Sequence, residues 1–155
     1  MLLFCLTAMA NLPGPKVDCV SVLPNGNVQI SWNQVLDPTG IFVNYQIFEV
    51  GTSGLTLLQS ISSINTTSYI HTTTLGQIAA QRYVISTNTS VPTVNFSDTV
   101  STMRLFVNNP SNGMAILNWN PIFRTNNNLT ASNWYRIYRE YPAGIWTLID
   151  SVQYG

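Results

Sequence analysis

Asn25-Gly26-Asn27-Val28-Gln29-Ile30-Ser31-Trp32-Asn33 is the stretch that decides the fold. From Val28 to Asn33, apolar Val28, Ile30 and Trp32 alternate with polar Gln29, Ser31 and Asn33. This is the period-two signature of a strand with one buried and one wet face. The Asn-Gly pair ahead of it is a tight-turn signal. The same phrase returns as Asn112-Gly113-Met114-Ala115-Ile116-Leu117-Asn118-Trp119-Asn120. Both copies predict a turn, then a strand that carries its tryptophan into a core.

Outward from this stretch the chain reads as short strands between turn signals. Lys16 to Leu23 precedes it; Val43 to Val50 follows the Asp37-Pro38-Thr39-Gly40 turn, with Tyr45 and Ile47 inward. Gly51 to Gly54 closes a hairpin onto Leu55 to Ile61. Tyr69 to Thr73, Arg82 to Thr87 and Phe96 to Thr102 complete seven strands. Seven short strands at this spacing, with no helical periodicity, predict an all-β sandwich of two sheets. A second round runs through Leu105 to Asn108, Met114 to Asn120, Trp134 to Tyr141 with Tyr135 and Ile137 inward, and Ile145 to Val152.

The two rounds align. Trp32 matches Trp119 at an offset of 87, Tyr45-Gln46-Ile47-Phe48 matches Tyr135-Arg136-Ile137-Tyr138 at 90, and Leu57 to Ile61 matches Leu148 to Val152 at 91. That spacing is the size of a small sandwich domain. The expected organisation is a signal peptide remnant over 1–10, a Pro-Gly linker over 11–15, a complete sandwich over 16–103, and the first four strands of an incomplete second copy over 104–155. Met1 to Leu6 is apolar and Ala8-Met9-Ala10 has the small-x-small form cut by signal peptidase, which would leave Asn11 first.

Composition narrows the function classes. Charged residues are only 8% of the chain and six bases balance six acids, so a phosphate-binding surface for nucleic acid is not expected. Asn, Thr and Ser make 48 of the 155 residues, a neutral hydrogen-bonding surface that suits an extracellular or cell-surface chain. No run of 18 apolar residues is present, so no membrane-crossing helix is expected. Asp18, Asp37, Glu49, Asp98, Glu140 and Asp150 include no pair spaced to converge, which does not support paired-carboxylate catalysis. His71 is the sole histidine and reads as structural; no nucleophile elbow, phosphate loop or dinucleotide loop occurs, and no cofactor or metal is expected. Once Cys5 leaves with the signal segment, Cys19 is the one remaining thiol. It reads as a small buried hydrophobe on the first strand, the alternatives being a free thiol or one paired outside the chain.

One surface cluster stands out. Trp134, Arg136 and Tyr138 share the outward face of one strand, where rings beside a guanidinium suit stacking on sugars or anchoring a protein. The alternative is that a neighbouring module covers them.

At these residues the sequence resembles the fibronectin type III family. The resemblance rests on Trp32 and Trp119 of the second strand, Tyr45 and Ile47 or Tyr135 and Ile137 of the third, and Leu75 ahead of Tyr83 on the sixth. It implies an immunoglobulin-like β-sandwich in which Tyr83 makes the corner hydrogen bond. Phrases such as Val22-Leu23-Pro24-Asn25-Gly26-Asn27-Val28 and Tyr138-Arg139-Glu140-Tyr141-Pro142-Ala143-Gly144 look like the tandem modules of gliding-motility-associated bacterial surface proteins exported by the type IX route. That likeness implies an N-terminal fragment of a larger secreted protein, with neighbouring sandwich modules and surface glycans or proteins as partners. It also implies O-glycosylation at Thr99 and Ser151, in Asp98-Thr99-Val100 and Asp150-Ser151-Val152. The Asn-x-Ser/Thr sequons at Asn65, Asn88, Asn95 and Asn128 reflect composition. The function expected is a non-catalytic spacer or adhesion module; the alternative is an accessory domain of a secreted carbohydrate-active enzyme.

Overall fold

Alternating apolar residues become strands wherever the sequence supplies them. The computed structural model describes residues 11–73, 75–121 and 134–153, and among these the chain is all-β with no helix. In order the strands are β1 (Val17–Val22), β2 (Val28–Trp32), β3 (Phe42–Gly51), β4 (Gly54–Ile61), β5 (Ser68–His71), β6 (Arg82–Thr89), β7 (Val94–Phe96), β8 (Val100–Ser101), β9 (Leu105–Asn108), β10 (Ile116–Trp119), β11 (Trp134–Glu140) and β12 (Trp146–Gln153). The chain divides into two compact units, 1–125 and 126–155. The signal segment expected over 1–10 lies outside the described residues, as does the Asn128 sequon.

In the first unit one antiparallel sheet runs β1-β2-β5 and another runs β4-β3-β6-β7, with β8 also paired to β6. The inward residues of both sheets meet in one core, with Val17, Val28, Ile30 and Trp32 from the first and Tyr45, Ile47, Tyr83, Ile85 and Val100 from the second. The arrangement is a β-sandwich. Trp32 meets Tyr45 edge to face at 5.6 Å, and Phe42 meets the same ring at 4.7 Å. The Tyr45 hydroxyl accepts from the Val35 N–H at 3.1 Å and donates to the Ile64 carbonyl at 3.3 Å, tying two loops to the core. Asp37 closes the turn before β3 by accepting from the Phe42 N–H at 2.8 Å and from Thr39.

Four expectations change. Cys19 is exposed: a bulge between Val17 and Cys19 shifts the register, so Cys19 pairs with outward Ser31 while Val20 pairs with buried Ile30. Its thiol contacts the Ser21 hydroxyl at 3.2 Å. Leu75 is 49% exposed and is no core residue. The buried position there belongs to Gly76, whose backbone approaches the Gly26 carbonyl so closely that any Cβ would collide with it. The strand expected over Phe96 to Thr102 is two short ones, because Ser97 takes over the ladder: its hydroxyl accepts from the Ile85 N–H at 2.9 Å and its N–H donates to the Ile85 carbonyl at 2.7 Å. Asn11 to Pro15, read as a linker, packs instead. Leu12 is buried in the core, and the Asn95 amide holds the Asn11 side chain and the Leu12 carbonyl at 2.6 Å each.

The β9–β10 hairpin closes the described part of the first unit, with Leu105 opposite Trp119. Asn120 staples its base by accepting from the Arg104 N–H at 2.6 Å and donating to the Thr102 carbonyl at 3.0 Å. Trp119 is half-buried. The second unit, where described, is the β11–β12 hairpin.

Candidate functional site

The β11–β12 hairpin positions the aromatic cluster. Its turn is closed by the Tyr141 N–H donating to the Ile145 carbonyl at 2.9 Å and by the Gly144 N–H donating to Glu140 Oε1 at 2.6 Å. Gly144 has φ of 82°, a conformation in which a side chain would be strained. Along β11 Tyr135 and Ile137 are half-buried, while Trp134, Arg136 and Tyr138 between them are exposed. The expected alternation is therefore present residue by residue.

The cross-strand register adds members that sequence alone did not place. Directly opposed residues of an antiparallel pair share a face. Trp134 opposes Gln153, Arg136 opposes Ser151, Tyr138 opposes Leu148 and Glu140 opposes Trp146. Exposed Trp146 and Leu148 therefore extend the Trp134–Tyr138 face. Tyr135 opposes Val152 and Ile137 opposes Asp150 on the other side. The switch comes from a bulge between Ile137 and Tyr138, which leaves Ile149 as the extra residue. Counted straight along β12, Trp146 has the parity of Val152 and falls on the inner face. The bulge moves it outward.

The first unit contains the same construction. In β3–β4, Tyr45 opposes Ile61, Ile47 opposes Gln59 and Phe48 opposes Leu57, with a bulge between Ile47 and Phe48 that leaves Leu58 extra. Each pair and the bulge recur in β11–β12 at the offsets of 90 and 91. Phe48 and Leu57 face outward like Tyr138 and Leu148, and Phe48 contacts the Phe96 ring at 6.1 Å. There the inward Tyr45 and Ile47 are fully buried, because the β1-β2-β5 sheet faces them.

Among the described residues no group of three His, Cys, Asp or Glu side chains is placed to hold a metal. His71 belongs to an internal network: its Nδ1 lies 3.0 Å from the Tyr83 hydroxyl, which donates to Gln81 Oε1 at 2.7 Å. The Tyr83 oxygen thus accepts from His71, and the corner bond expected to run to an upstream backbone group is replaced by these two side chains. Gln81 and Thr102 continue the chain, with the Gln81 N–H donating to Thr102 Oγ1 at 2.9 Å. Burial, with the Glu49 charge second, holds the Tyr83 phenol well above its ordinary range, and burial likewise raises Tyr45 against the opposing Val35 N–H. Thr99 is half-buried between β7 and β8, whereas Ser151 is exposed beside Arg136 on the hairpin face.

No family profile and no curated protein matches the chain. Among solved structures, two crystal forms of the pectate lyase Pel3 from Pectobacterium carotovorum are similar over 57% of this chain, at TM-scores of 0.47 and 0.46 and identities of 16% and 18%. The chain spans about a quarter of that enzyme's length, 26%. Likeness at this level assigns it neither a fold family nor an activity.

Proposed function

We propose that this chain is a non-catalytic, modular part of a larger secreted or cell-surface protein, built from fibronectin type III-like sandwich copies. Its β11–β12 hairpin presents an aromatic face to surface glycans. The observation that carries the reading is the exposure of Trp134, Arg136, Tyr138 and Trp146 together on one hairpin face while alternate residues turn away. Apolar ring faces stack on the CH faces of sugars, and neutral or cationic donors such as Arg136, Ser151 and Gln153 reach their hydroxyls. The charge-poor surface of the whole chain fits a neutral ligand better than an ionic one.

Support for modularity comes from the recurring register and bulge of the two hairpins. The fibronectin-like reading draws on the three-strand sheet set against the β4-β3-β6-β7 sheet, with Trp32 of the second strand on Tyr45 of the third. A domain boundary near 103 and 104, and placement at a cell surface in a gliding-motility context, belong to the same proposal.

A glycan array probed with the chain and with a Trp134→Ala, Tyr138→Ala double variant tests it. Both side chains are about half exposed, so the variant keeps the parent's melting temperature. Affinity for at least one glycan falls by about tenfold or more, the scale of losing two aromatic anchors. Unchanged binding removes the face from the site, and a protein ligand in place of any glycan overturns the glycan reading.

A further inference from the structure

The two Asn-Gly turns differ in a way that bears on their chemistry. Their local geometry matches: Asn25 Oδ1 accepts from the Asn27 N–H at 3.1 Å, and Asn112 Oδ1 accepts from the Met114 N–H at 3.1 Å. Gly26 and Gly113 have φ of 85° and 82°. In both, the carboxamide oxygen is tied to the backbone N–H two residues on, so the side chain curls back along its own turn.

Their surroundings do not match. The Gly26 N–H donates to the Leu23 carbonyl at 2.9 Å, and the Leu23 N–H returns a bond to the Asn27 carbonyl at 2.8 Å. The Gln77 amide clamps the Pro24 carbonyl at 2.7 Å, and Gly76 packs against the Gly26 carbonyl. Around Asn112, residues 109–116 are all exposed, and nothing lies within 4 Å of the position a Gly113 Cβ would take. Among the described residues the Gly113 N–H has no hydrogen-bond partner. Ser111, next to Asn112, adopts φ of 62°, a conformation that leaves the turn under local strain.

We propose that Asn112-Gly113 is a site of spontaneous deamidation, and that the fold protects the same dipeptide at Asn25-Gly26. The Gly113 nitrogen, giving up its proton to solvent base, bonds to Asn112 Cγ; the Cγ–Nδ2 bond breaks and ammonia leaves, forming a succinimide. Water then opens the ring at either carbonyl, giving aspartate or isoaspartate. No oxidant or cofactor is involved. The Gly26 nitrogen must first lose its bond to Leu23 and the clamp that holds the turn. Each conversion adds one negative charge to a chain of formal net charge zero. In the isoaspartate product the β9–β10 connection also gains a backbone carbon, loosening the register that sets Asn108 opposite Ile116.

The folded chain, held in mildly alkaline buffer at physiological temperature and sampled over weeks, is digested and both turn peptides are scored for the one-unit mass gain and for isoaspartate. Asn112 converts at least about tenfold faster than Asn25, the factor that one protecting hydrogen bond supplies. In concentrated urea the two rates converge, because both peptides then share the same dipeptide chemistry. Equal rates in the folded chain overturn the proposal. A ratio that persists unchanged in urea does so as well, since it traces the difference to the following residues, Asn27 and Met114, and not to the fold.

Discussion

Replacing Tyr45 with phenylalanine removes one oxygen from the centre of the sandwich and leaves the ring contacts with Trp32 and Phe42 in place. The hydroxyl serves two partners of different standing. Val35 is 4% exposed, so its N–H, now 3.1 Å from the Tyr45 oxygen, is left buried without an acceptor. Ile64 is half-buried, and its carbonyl recovers a bond from water. One orphaned buried donor costs about 1–2 kcal/mol, to which the re-solvated carbonyl adds little. For a unit of about 100 residues this lowers Tm by roughly 5–15 °C. Thermal melts followed by near-ultraviolet circular dichroism give the shift, and amide exchange at Val35 gives its cause. An unchanged Tm with Val35 still protected refutes the assignment of Tyr45 as the polar tie between the loops and the core.

The opposite sign is expected at Thr87. Its side chain is fully buried on the inner face and its hydroxyl has no hydrogen-bond partner among the described residues, so Thr87→Val raises stability by about 1 kcal/mol in urea melts. Leu75→Ala changes stability by less than about 0.5 kcal/mol because the side chain is half exposed, whereas Trp32→Ala costs about 3–5 kcal/mol. Stability also falls on the alkaline side. Tyr45 and Tyr83 are raised above the ordinary value of 10.0, so their contribution is full below that pH. It is lost as pH climbs past it, where unfolded phenols ionise and buried ones still hold their protons. Urea midpoints on either side of 10.0 show the drop, and Tyr83→Phe reduces it.

Strand existence was legible because alternation is a local property: Val28, Ile30 and Trp32, or Tyr45 and Ile47, announce their faces within a few residues. What sequence parity does not place lies on the far side of a bulge. Cys19, expected to be buried, faces outward, and Trp146 joins the Trp134 face, because one extra residue in β1 and in β12 reverses the count, and that extra residue is defined by the partner strand. Leu75 was expected in the core only through the resemblance, as the leucine ahead of Tyr83; the buried position is that of the next residue, Gly76, because two backbones touch there. Leu12 was hidden by its prolines, which announce a linker and say nothing of the Asn95 side chain that holds the segment. Trp134, Arg136 and Tyr138 were legible from parity alone because no bulge intervenes before the last of them on their own strand. Their partnership with Trp146 required the register.

Where a bound oligosaccharide touches the protein tests the role of the hairpin face most directly. Backbone amide shifts, followed by NMR as a glycan identified on the array is titrated into the full chain, map the contact. A glycan seated on the hairpin face gives perturbations concentrated at Trp134, Arg136 and Tyr138 and, across the hairpin, at Trp146 and Leu148, with Tyr45 and Ile47 silent in the core. Perturbations confined to the β1-β2-β5 sheet, with the hairpin face unmoved, contradict a glycan-binding role for that face.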